Sequence, residues 1–136
     1  MPRDEVLPFR PQTIAYPPRF VCLRVEYPLA VRVFVAGELD VATVPQLDRC
    51  LRQAAADAPL VLLDLRRVEF VAGCGAKLLL EADTRIRRAG GRLYVRHAPE
   101  ELNRLLRLLG AADSLDMGPL PKAADASPTA MPAWPT

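Results

Sequence analysis

The residues whose chemistry stands out lie in one short segment, Val68-Glu-Phe-Val-Ala-Gly-Cys-Gly-Ala76. Gly73-Cys74-Gly75 places a small thiol between two glycines, where a helix is expected to begin. A helix start collects unpaired N–H groups and the positive end of the peptide dipoles, so it favours an anion. A thiol there can release its proton more readily and gain nucleophilicity. The same three residues also suit a packed turn, glycine allowing close approach and Cys acting as a small apolar filler. Both readings stand on chemistry alone. Asp40 closes Gly37-Glu38-Leu39-Asp40, where a carboxylate can take a proton, hold a cation or hydrogen-bond its own turn. Asp64 reads as a turn-bonding carboxylate. His97, the one His, stands at a strand end. It could serve Cys74 as a base, although an isolated His at a loop edge is more often structural. Cys22 and Cys50 have no partner at an obvious spacing. One His and three scattered Cys do not supply metal-ligand spacing, and GxSxG, HExxH and P-loop motifs are absent, so no cofactor is expected.

Strands and helices must position these groups. In Phe20–Tyr27, Val21, Leu23 and Val25 alternate with Cys22, Arg24 and Glu26, the period of a half-buried strand. Cys22, sharing parity with Arg24 and Glu26, is expected to be partly exposed. After Pro28-Leu29, Val31, Val33 and Val35 mark a second strand, completing a hairpin. Thr43-Val-Pro-Gln46 reads as a capping box that opens a helix with Val44, Leu47, Leu51, Ala54 and Ala58 at helical spacing. Leu60–Leu65 is an almost continuous apolar run, as in a central strand. A helix from about 74 to 89 buries Gly75, Leu79, Ala82, Ile86 and Ala89, and ends on Arg85, Arg87, Arg88 and Gly90. Arg92–His97 alternates again. A third helix starts at Pro99 behind Ala98, a poor cap, with Leu102, Leu105, Leu106 and Leu109 on its apolar face. Ser114–Met117 suits a short edge strand. The order β-β-α-β-α-β-α predicts an α/β fold, a mixed sheet of four to five strands with helices mainly on one face.

The chain has 136 residues, 51% of them hydrophobic and 25% charged, which suits one globular domain. A net charge of +2 from interspersed signs gives no basic patch for nucleic acid or a membrane surface. No apolar run reaches the roughly 18 residues of a membrane helix. Asp4, Glu5 and several prolines stand where a signal peptide would be apolar. The expectation is a cytoplasmic protein with free thiols. Of the 14 prolines, most crowd the two ends. Residues 1–19 read as a flexible Pro-rich segment, 20–117 as the folded domain and 118–136 as a disordered Pro/Ala-rich tail.

The patterned region resembles a known family. Val33-Phe-Val-Ala-Gly-Glu-Leu-Asp40, followed by Thr43, is similar to the opening of STAS domains, the family of sulfate transporters and anti-sigma factor antagonists. Val61-Leu-Leu-Asp-Leu-Arg-Arg-Val-Glu-Phe70 resembles their central strand. Gly90-Gly-Arg-Leu-Tyr-Val95 and Leu102–Gly110 resemble the later strand and helix. The resemblance implies a STAS-like fold and a non-enzymatic bacterial regulator of transcription that works by partner switching. Such an antagonist binds an anti-sigma factor of the serine-kinase/ATPase fold and so frees a sigma factor. Phosphorylation of a Ser at the start of the second helix blocks that binding. Where the family commonly reads Asp-Ser-Ser-Gly, this chain reads Ala72-Gly73-Cys74-Gly75, so Cys74 takes the phosphoacceptor position without a hydroxyl. The implied partner surface is Glu38, Asp40, Ala72, Gly73, Cys74 and Gly75. A homodimer is left open. Two other readings stand beside it. One is a STAS adaptor in a transporter, such as a lipid-transport system, or in a stress-signalling complex. The other is a thiol enzyme using Cys74 and His97.

Overall fold

The computed structural model describes residues 20–118. The Pro-rich segments read as flexible at both ends fall almost wholly outside these residues. Seven elements follow in the order β1 (Val21–Tyr27), β2 (Ala30–Leu39), α1 (Val44–Asp57), β3 (Leu60–Val71), α2 (Gly73–Arg88), β4 (Arg92–Arg96) and α3 (Glu100–Leu108). They build one sheet in the order β1-β2-β3-β4. The hairpin pair β1/β2 is antiparallel, and β2/β3 and β3/β4 are parallel. The expected mixed α/β fold is therefore present. The edge strand expected at Ser114–Met117 shrinks to one parallel bridge, Tyr94 to Asp116.

The three helices share one core with one face of the sheet. Val31, Val33 and Val35 of β2, Val61, Leu63 and Leu65 of β3, and Leu93 and Val95 of β4 meet Leu47 and Leu51 of α1, Leu79 and Ile86 of α2, and Leu102 and Leu106 of α3. The apolar spacing read from the sequence finds this face in all three helices. Ala89, expected inside, is exposed at the end of α2, and Leu109, expected on the apolar face of α3, is exposed just beyond that helix.

β1 departs from its expected orientation. Cys22, Arg24 and Glu26 pair with Val35, Val33 and Val31, and directly opposed residues share a sheet face. The polar residues of β1 therefore look toward the helices, and Val21, Leu23 and Val25 stand on the other face. Two contacts account for this. Cys22 packs against the core, and Arg24 ion-pairs with Asp57 at the end of α1. The opposite sheet face is correspondingly not a polar one. Phe34 is 2% exposed and Leu62 1%, beside Asp64 and Arg32.

The expected capping box does not form. Thr43 makes no side-chain cap to α1, its hydroxyl being turned back toward β2. α3 is capped by Pro99, in extended conformation, rather than by Ala98.

Candidate functional site

The site begins where β2 leaves the sheet. The β2/β3 register breaks between Gly37 and Glu38, and Gly37 has a φ of 108°, which a side chain would oppose. Such an irregularity re-aims the residues beyond it. Glu38 emerges exposed, and Leu39 turns in and is fully buried. Asp40 then folds its turn around itself. Its Oδ1 accepts from the amides of Ala42 and Thr43 at 3.0 and 3.2 Å. Thr43 Oγ1 accepts from the Asp40 amide at 2.9 Å and donates to the Glu38 carbonyl at 2.8 Å. Of the roles open to Asp40, the turn-bonding one is thus occupied. Val41, at the tip, is 79% exposed.

The second limb is the start of α2. The Ala72 amide donates to the Leu39 carbonyl at 2.8 Å, so the end of β2 and the head of α2 are tied together. Gly75 rests on Leu39 so closely that an added Cβ would lie 2.7 Å from Leu39 Cγ. This contact brings the Glu38–Asp40 turn and the Ala72–Gly75 segment onto one edge of the sheet. Gly73 is exposed with open space around it, and Cys74 is half-buried.

Cys74 also stands in an open groove between α1 and α2. Val44, Pro45, Asp48 and Arg52 line one wall, and Lys77, Leu78, Glu81 and Arg85 the other. Asp48 holds Arg52 at 2.8 Å and Arg85 at 3.5 Å, bridging the two helices. The groove wall and Val41 were not singled out from sequence. Helical spacing puts Asp48, Lys77 and Glu81 on solvent faces, but only the α1/α2 packing makes those faces one surface. Phe70, 46% exposed, pairs with Glu38 across the β2/β3 ladder and adds an apolar side chain at the same edge.

His97 belongs to another cluster. Its Nε2 lies 2.7 Å from an Arg66 guanidinium nitrogen. A guanidinium only donates, so Nε2 is the acceptor. Asp64, 3% exposed, accepts from the Arg66 amide at 2.9 Å, a local turn-type bond as expected. The base that a Cys74 thiol enzyme would need is therefore engaged with Arg66 and makes no hydrogen bond to the thiol. Among the described residues no cluster of three His, Cys, Asp or Glu could hold a metal ion, and no helix is long and apolar enough to cross a membrane.

A family model described as "Mlab, STAS domain" matches residues 26–119, more than half of the chain. The chain belongs to the STAS domain family. Among solved structures, an anti-sigma factor antagonist from Mycobacterium paratuberculosis superposes with a TM-score of 0.66 at 25% identity, over 79% of this chain and 93% of that one. The anti-sigma factor antagonist SpoIIAA in its unphosphorylated form gives a TM-score of 0.61 at 17% identity, over 79% and 93%. The phosphorylated form of SpoIIAA, a Bacillus cell fate determinant, gives 0.59 at 17% identity, over 79% and 97%. At such identities the two SpoIIAA structures speak for the fold alone. No curated protein sequence matches the chain. The STAS fold thus places its β2 turn and its α2 head on one edge, beside the α1/α2 groove.

Proposed function

We propose that this STAS domain is a non-enzymatic regulator of the anti-sigma factor antagonist type. It binds an anti-sigma factor of the serine-kinase/ATPase fold through Glu38, Asp40 and the Ala72–Gly75 segment. The observation that carries this reading is the Ala72 to Leu39 hydrogen bond, which joins the two segments at one edge of the sheet, with Glu38 and Gly73 exposed, Asp40, Ala72 and Cys74 half-buried, and Gly75 buried beneath them. Likeness to the Mycobacterium paratuberculosis antagonist supports it. In this reading Cys74 holds the phosphoacceptor position. Ordinary serine-kinase chemistry needs a hydroxyl there, so the protein is not switched by phosphate at that residue. A second reading, a STAS adaptor of a transporter or stress complex, is favoured by that missing hydroxyl and by a matching family model that carries the description Mlab.

Affinity capture from native lysate separates the two. The full chain is compared with Glu38→Lys and with Asp40→Asn, whose amide oxygen can still accept the turn bonds. Wild type is expected to recover an ATPase-fold kinase. Glu38→Lys is expected to weaken its binding by roughly tenfold. Recovery of transporter subunits instead would replace the antagonist reading with the adaptor.

A further inference from the structure

Two of the three thiols face each other across the β1/α1 contact, away from the α2 head. Cys22 lies on the helix-facing side of the edge strand β1, opposite Val35. Cys50 lies on α1, and both are half-buried against the same core. Arg24 fixes the alignment of the two elements independently. It stands two residues beyond Cys22 on the same face of β1 and ion-pairs with Asp57, about two turns beyond Cys50 along α1. The two contacts run side by side. The Cys22 and Cys50 side chains therefore come together between β1 and α1, close enough for each thiol to shift the other's proton affinity.

We propose that Cys22 and Cys50 form a redox-active dithiol, a modification site that closes to a disulfide between β1 and α1 under a peroxide oxidant. The chemistry balances in two steps. The Cys50 thiolate attacks one oxygen of hydrogen peroxide, the O–O bond breaks, and the other oxygen leaves as hydroxide, which takes up one proton to become water. This yields Cys50 sulfenic acid. The Cys22 sulfur then attacks the Cys50 sulfur, the S–O bond breaks, and a second water carries off the hydroxyl with the Cys22 proton. The two sulfurs lose two electrons in total and the peroxide gains them. The sulfurs must close to about 2.05 Å, and among the described residues β1 pairs with β2 alone, so a local shift of β1 toward α1 breaks no second strand ladder.

The electrostatics favour the first step. The neighbouring Cys22 thiol draws the Cys50 thiol down to about 7, against the opposing effect of burial, with Arg24 and Arg49 adding their positive charge. The Cys22 thiol is pushed far up by its Cys50 neighbour, by burial and by the charge on Cys50. One thiolate and one thiol are the pair that peroxide chemistry uses, an attacking sulfur and a resolving one.

The inference is independent of the partner proposed above. Its test uses the reduced full-length protein, treated with hydrogen peroxide and followed by intact mass and peptide mapping. A loss of two hydrogens mapped to a Cys22–Cys50 bond is expected, and Cys74→Ser should behave in the same way. Cys22→Ser should stop at a Cys50 sulfenic acid that dimedone traps. In native reduced protein at pH 7, iodoacetamide should label Cys50 on the order of tenfold faster than Cys22. Retention of all three thiols, or oxidation at Cys74 alone, would overturn the proposal.

Discussion

An ideal Cβ at Gly75 would stand 2.7 Å from Leu39 Cγ and 2.9 Å from Cδ2. Glycine at this position therefore sets how closely the head of α2 approaches the end of β2. Gly75→Ala should destabilise the protein by about 1–3 kcal/mol through overpacking. Leu39→Ala alone should cost about 2–5 kcal/mol, because Leu39 is fully buried. Combined, the new methyl enters the space Leu39 vacates, so the double variant should lose less than the sum by about 1 kcal/mol. Gly73→Ala, with open space around it, should stay within about 0.5 kcal/mol of wild type. Urea unfolding of the four variants checks this, and equal effects of the two alanines would remove Gly75 from its positioning role. The packed-turn reading of Gly73–Gly75 was available in the sequence. Its partner was not, because nothing local links residue 75 to residue 39. Thr43 shows a local signal misdirected: the spacing to Gln46 fits a capping box, but Glu38 and Asp40 offer the hydroxyl bonds on the strand side.

At the scale of elements, apolar periodicity located every strand and helix among the described residues, and failed on orientation only at the sheet edge. β2, β3 and β4 carry their core residues in alternation on the helix face as far as Val35, Leu65 and Val95, and the alternation breaks beyond, where the β2/β3 register shifts. β1 offers two usable faces, Val21, Leu23 and Val25 on one and Cys22 on the other. The choice is made by α1, through the core contact of Cys22 and the Arg24–Asp57 pair. The opposite edge shows a segment too short to be a strand. The Val95 amide donates to the Asp116 carbonyl at 2.8 Å, and the Asp116 carboxylate reaches Arg87 at 2.9 Å and Arg92 at 3.2 Å. These ion pairs hold the segment after α3 along β4, and Leu115 beside them is buried. Asp116→Ala should release it locally without unfolding the sheet. Hydrogen exchange at the Val95 amide should accelerate roughly two- to fivefold, while the amides of β3 keep their protection. Unchanged exchange at Val95 would assign the attachment to Leu115 rather than to the ion pairs.

For the whole molecule, strand order was legible because right-handed crossovers with helices on one face allow little else. The site was legible in part. Glu38, Asp40 and the residues 72–75 do share an edge, whereas the groove beside them exists only once α1 and α2 pack. The Cys22–Cys50 contact, hidden in sequence by the separation of its members, has a consequence for stability that involves the entire fold. The charged and titratable groups around Cys50 are Cys22 and Arg24 on β1 and Arg49 on its own helix, with Arg24 held by Asp57 and Glu26. Folding lowers Cys50 from its ordinary 9.0 to about 7. The stabilisation from its thiolate is therefore fully present above pH 9 and is lost as pH falls through about 7. Folding raises Cys22 above 9.0, so the native state keeps a proton that the unfolded chain releases, and stability declines above pH 9. The two effects together give a maximum near pH 9. Under reducing conditions, the urea midpoint of wild type minus that of Cys22→Ser/Cys50→Ser should rise from pH 7 to 9 and fall beyond it. The subtraction cancels every other titrating group. A difference that stays flat from pH 7 to 9 would mean that the two thiols do not share a proton in the folded state.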